Sequence, residues 1–155
     1  MIMEQVIHSL NNKKNIFTDR FGHLSYPDVS ATEASLLQKQ HPGHAFIVYG
    51  GLAPGGMHYN FIKNIRGQWQ QCTIQGRLEN KGWGADLGYA GYRTAGEEEA
   101  QAITAHILFS EDMGHHWQRL DEFVGEGYIR QLTRYTLEDG TEGVGYVYVV
   151  RTDIY

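Results

Sequence analysis

The run Gly50-Gly51-Leu52-Ala53-Pro54-Gly55-Gly56 is the first place where residue type and spacing suggest chemistry. Glycines let a backbone approach a ligand closely. Amide hydrogens at the start of a helix favour an anionic or carbonyl oxygen. The run lacks the Gly-Lys-Ser/Thr ending that supplies the lysine and the magnesium-binding hydroxyl of a phosphate loop, so nucleotide hydrolysis is not expected. The residue types fit a plain strand-to-helix turn and a ligand-cradling loop equally. The histidines carry no metal signature: His41 and His44 sit around Pro42-Gly43, and His115-His116 are adjacent, so no metal site is expected. A single cysteine, Cys72, rules out an internal disulfide and a multi-thiolate zinc site. Nothing in the sequence marks an activating partner for it, so it reads as a buried structural thiol. The absence of a Gly-x-Ser-x-Gly elbow argues against a serine hydrolase.

These residues belong to a chain of 155 residues, 41% hydrophobic and 20% charged, which fits one globular domain with a real core. The formal net charge of −5 argues against a nucleic-acid partner, because phosphate binding needs clustered Lys and Arg. No apolar run approaches the ~20 residues that span a bilayer. Met1 to Leu10 contains Glu4 and His8 and lacks a basic start followed by an apolar stretch, so no signal peptide is expected. The expectation is a soluble cytoplasmic protein without a membrane partner. The 19 Gly and 10 Tyr point to turns, close backbone approaches and an aromatic-lined interior.

The elements that must position the chemistry divide in two. Residues 1–44 are polar and mixed and read as an N-terminal extension. Within them, Ser30 and Glu33 form a capping box ahead of Ala34, Leu36 and Leu37, predicting a helix over about 31–40 that ends at His41-Pro42-Gly43. From residue 45 to 155 the pattern becomes strand-rich and reads as the main domain. Ala45 to Tyr49 is a buried strand stopped by Gly50-Gly51. Met57, Phe61, Ile62 and Ile65 have near-helical spacing. Trp69 to Leu78 and Ile103 to Phe109 read as strands. Trp117, Leu120, Phe123 and Val124 predict a helix over about 113–124, capped by Ser110 or Asp112 and closed at Gly125. Tyr128 to Leu137 and Val144 to Val150 read as strands joined at Asp139-Gly140. The class is α+β: a small mixed β-barrel or curled sheet with short helices.

Several pieces in order resemble the gamma-glutamylcyclotransferase-like family. Tyr49-Gly50-Gly51-Leu52 followed by Pro54-Gly55 is similar to its opening motif. Gly76-Arg77-Leu78, Gly82-Trp83-Gly84 and Gly88-Tyr89 are similar to its second strand and glycine-rich loop. Leu120-Asp121-Glu122-Phe123, Gly125 and Tyr128-Ile129-Arg130 are similar to its helix-end motif, and Gly145-Tyr146-Val147-Tyr148 to its last core strand. The resemblance covers about residues 45–150. It implies a reaction without cofactor or metal. The α-amine of a γ-glutamyl compound attacks its own γ-carbonyl, releasing 5-oxoproline and an amine or amino acid. The implied partner is a small γ-glutamyl-type molecule, bound by Tyr49, Gly50, Gly51, Leu52, Tyr128 and Tyr148.

The resemblance breaks at the catalytic base. The family's glutamate directly precedes the glycine of its helix-end motif, and Val124 stands there. Two carboxylates are the replacement candidates. Glu126 follows the helix stop, where a change of chain direction can turn it inward. Asp121 lies one helical turn before Val124 on nearly the same face. Glu122 is rotated about 200° from Val124 and faces solvent, and Glu79 is a more distant option. The alternatives to a working enzyme are a non-catalytic small-ligand binder on the same scaffold and a protein-interaction module that uses residues 1–44.

Overall fold

The structure is a computed structural model that describes residues 2–13, 16–20, 22–49, 62–79, 91–93 and 100–150. Gly50, Gly51 and Leu52, and most of the helical spacing at 57–65, lie outside the described residues. In chain order the elements are α1 (Ile2–Asn11), β1 (Phe17–Thr18), β2 (Leu24–Ser25), α2 (Ala31–Gln40), β3 (Ala45–Val48), β4 (Gln68–Glu79), β5 (Gly91–Arg93), β6 (Gln101–Phe109), α3 (Trp117–Val124), β7 (Tyr128–Leu137) and β8 (Glu142–Val150).

Five strands close on themselves in the order β4-β6-β3-β8-β7, with β7 returning to β4. The ring is mixed: β3 and β8 run parallel, with Phe46 opposite Tyr146, and the other pairings are antiparallel. Strand β5 extends the sheet beside the end of β4, and β1 and β2 form a separate small hairpin. This is the α+β mixed barrel expected from the sequence.

Side-chain alternation splits the core into two layers. Ala45, Ile47, Cys72, Ile107, Val147 and Val149 fill the barrel interior. Their neighbours Phe46, Val48, Leu132, Val144, Tyr146 and Tyr148 point outward under a helical cover that includes Trp117, Leu120 and Val124 of α3. Strand β8 is buried from Gly143 to Val150 because both of its faces are covered.

The outer layer also needs the first 44 residues. Val6, Ile7 and Leu10 of α1 belong to the same cluster as Phe46 and Trp117. Asn11 at the end of α1 donates to Leu132 O at 2.8 Å and accepts from Leu132 N at 2.9 Å, replacing a strand partner at the edge of β7. The capping box of α2 forms as expected, and its Glu33 does more. That carboxylate also accepts from Ser9 Oγ at 2.7 Å and pairs with Lys13 Nζ at 3.1 Å, tying α1 to α2.

Two local expectations are corrected. Residues 62–65 form a turn, closed by Ile65 N to Ile62 O at 3.0 Å, rather than the end of a helix. The predicted helix over 113–124 is split into a 3-10 turn at Met113–His115 and α3, with His116 at the α3 N-cap. Asp112 is the N-cap of the earlier turn but makes no side-chain cap bond; Ser110 Oγ accepts from Asp112 N at 3.1 Å and donates to Arg66 O. Gly125 closes α3 as predicted. Its φ of 79° is a conformation that L side chains rarely adopt. No helix among the described residues is long and apolar enough to cross a membrane.

Candidate functional site

Strand register brings the polar groups of the site together. Arg130 of β7 lies directly opposite Tyr148 of β8, both on the outer face. Helix α3 runs over that face and presents Asp121 to both. Tyr148 donates its hydroxyl hydrogen to Asp121 Oδ1 at 2.6 Å, and Arg130 Nη2 donates to Oδ2 at 3.2 Å. The guanidinium also donates to Gly22 O and rests on the Trp117 ring, 4.4 Å from its centroid. Burial pushes the Asp121 carboxyl above its ordinary value, against the opposing pull of Arg130 and the Tyr148 hydrogen bond. Burial and the neighbouring carboxylate also push the Tyr148 hydroxyl well above the usual tyrosine range.

These residues face a hollow of about 430 Å³. Asp121, Val124, Tyr128 and Tyr148 line its barrel side. Asn11, Lys13, Thr18 and Tyr26 line the other, so the first 44 residues build part of the wall. The volume suits a small molecule. Val124 is 5% exposed and offers the hollow no titratable group.

The candidates from the sequence separate clearly in space. Asp121, Tyr128 and Tyr148 come together around the hollow. Glu126 lies exposed in the turn after Gly125 and is not among the described residues lining the hollow. Tyr49 is not among the described residues lining the hollow; its hydroxyl donates to Tyr148 O at 2.9 Å and accepts from Tyr92 N at 2.7 Å. Gly50, Gly51 and Leu52 lie outside the described residues, as do their contacts. Cys72 sits in the barrel interior, and burial pushes its thiol up to about 12, which leaves it protonated and inert at neutral pH. No cluster of three or more metal-ligating side chains occurs among the described residues.

Sequence reasoning did not place Arg130, Lys13 or Tyr26 at the site. For Arg130 a signal existed: it is two residues from Tyr128, and strand alternation puts both on one face. For Lys13 and Tyr26 the sequence holds none, because their approach depends on how α1 and the β1–β2 hairpin dock.

No family model matches the chain, and no curated protein matches it. Solved structures do. YkqA from Bacillus subtilis superposes with a TM-score of 0.53 at 18% identity, over 70% of this chain and 36% of that one. At5g39720.1 from Arabidopsis thaliana gives 0.51 at 17% identity, over 72% and 74%. An AIG2-like protein from Mus musculus gives 0.53 at 20% identity, over 70% and 78%. The chain therefore spans about a third of the length of YkqA and about three quarters of the other two. Together these likenesses define the architecture as a gamma-glutamylcyclotransferase-like fold.

Proposed function

We propose that the hollow beside Asp121 binds a small γ-glutamyl compound and that Asp121 serves as the base for its cyclisation. The amine nitrogen forms a bond to the γ-carbon, and the bond from that carbon to the leaving nitrogen breaks. The proton lost by the ammonium is returned to the departing amine. The attack is intramolecular, so holding the chain folded supplies much of the rate. A carboxylate must take the proton first. The observation that carries the reading is a partly buried carboxyl with raised proton affinity, set in a cavity of substrate size. Each Asp121 oxygen holds one donor, from Tyr148 and from Arg130, and a carboxylate has lone pairs left for a ligand ammonium. By the family resemblance, the backbone of Gly50-Gly51-Leu52 serves the developing oxyanion. Tyr128 lines the ligand space.

A second reading rests on Val124: the same hollow holds the ligand without turning it over, because valine stands where the resemblance calls for a glutamate. Both readings meet one experiment, in which the purified chain is incubated with γ-glutamyl amino acids and γ-glutamylamines and 5-oxoproline is measured. Activity in the wild type that is lost in Asp121→Asn supports the first. Activity that appears only in Val124→Glu supports the second.

A further inference from the structure

A second recess lies on the other side of Arg130. It is a groove of about 210 Å³ between the end of α2, the β1–β2 turn and β8. Leu24, Tyr26 and Arg130 line both spaces and form the partition between them. The two sides differ in chemistry. Asp121 faces the larger hollow, whereas the groove has no carboxylate among the described residues that line it. It gathers His23, His41, Arg130, Tyr26 and Tyr146, each able to donate a hydrogen bond.

Arg130 adds an unmet demand for hydrogen bonds. Its side chain is 3% exposed, yet Nε and Nη1 have no hydrogen-bond partner among the described residues. Among the described residues only Nη2 is hydrogen-bonded, to Asp121 and Gly22 O, and the guanidinium also packs on the Trp117 and Tyr146 rings. A buried guanidinium satisfied at one nitrogen is costly, and an unsatisfied buried group of this kind points to a missing anion or water. The hydroxyls of Tyr26 and Tyr146 are 2.9 Å apart, so one hydrogen is shared between them and the other is left to donate outward. The imidazoles are held in place as well. His41 is the left-handed C-cap of α2, with φ of 44°, and stacks on His44 at 5.6 Å. The His23 ring fills the space above Gly114, where a Cβ would lie 2.5 Å from its Cε1. The nearest acid on this hairpin, Asp19, accepts from the His23 amide at 2.9 Å.

We infer that this groove is a second binding site, for a small oxyanion, carboxylate or phosphate, held by His23, His41 and the tyrosine pair against the positive charge of Arg130. The site is separate from the Asp121 hollow and does not depend on whether the protein cyclises anything.

Isothermal titration of the full chain tests this, with inorganic phosphate in one arm and succinate in the other at fixed ionic strength. Saturable binding of at least one is expected, and the tighter arm assigns the chemistry. A His23→Ala/His41→Asn double variant keeps a residue at 41 that tolerates the left-handed cap. It should bind about tenfold more weakly or worse, as loss of a charge-assisted hydrogen bond predicts. The single His41→Asn variant gives the same reading if the double variant does not fold. Lys39→Gln, an exposed charge on α2 outside the groove, should bind as the wild type does. Failure of both anions to saturate at tens of millimolar overturns the proposal. So does equal binding by wild type and the histidine variants, or equal weakening by Lys39→Gln.

Discussion

The Tyr148 hydroxyl reaches across from β8 to donate a 2.6 Å hydrogen bond to Asp121 Oδ1 on α3. This contact fixes the carboxylate of a short helix against the barrel, with one oxygen held by Tyr148 and the other by Arg130. It explains why Asp121, one turn before the helix end, occupies the hollow while the acid after the turn does not.

Replacing the base should therefore be decisive at one position and mild at the other. Asp121→Asn is expected to lower any 5-oxoproline release by on the order of 10²–10⁴, the usual worth of a general base. Glu126→Gln, at an exposed turn residue, should change it less than about tenfold on the same scale. Steady-state rates of the two variants check both.

The pH profile carries the same assignment. Burial raises the Asp121 carboxyl, and a base must be deprotonated to act. The acid limb of kcat/KM should fall at a pH above the ordinary aspartate value of about 3.9. Tyr148→Phe removes a donor that favours the charged form, so the limb should move further up. A limb that stays put in that variant contradicts the role of the hydrogen bond.

Glu33 predicts an acid-sensitive tie between α1 and α2. Its backbone bond to Ser30, with Ser9 and Lys13 adding to it, holds the carboxyl down at about 2 against burial. A depressed folded value stabilises the protein above the unfolded value of about 4.3. That contribution, on the order of 2 kcal/mol, is lost as pH falls through the folded value. Urea midpoints between pH 5 and 2 should drop in the wild type and flatten in Glu33→Gln.

The N-terminal helix should prove integral to the core. Leu10→Ala is expected to cost about 2–5 kcal/mol as a fully buried leucine. Asn11→Ala leaves the Leu132 amide and carbonyl without their partner and should cost about 1–3 kcal/mol. Deletion of residues 1–44 uncovers the outer barrel face and should abolish cooperative unfolding, read by denaturant titration.

The barrel strands were legible because alternation and apolar runs mark them directly: β4, β6, β7 and β8 lie where the pattern puts them. The Ser30–Glu33 box marked α2, and Gly125 marked the end of α3. Helix α1 was missed although Val6, Ile7 and Leu10 share one face, a pattern diluted by polar neighbours over a short span. The site was half legible. Asp121 and Tyr148 stand out by type, but their meeting depends on α3 crossing β8, and the share of Lys13 and Tyr26 depends on long-range docking that no local spacing records.

The location of the ligand site is tested most directly by NMR titration of the labelled chain with 5-oxoproline. Saturable shifts centred on Asp121, Tyr128 and Tyr148 are expected. Absence of saturable shifts, or shifts confined to residues away from that hollow, would contradict that location.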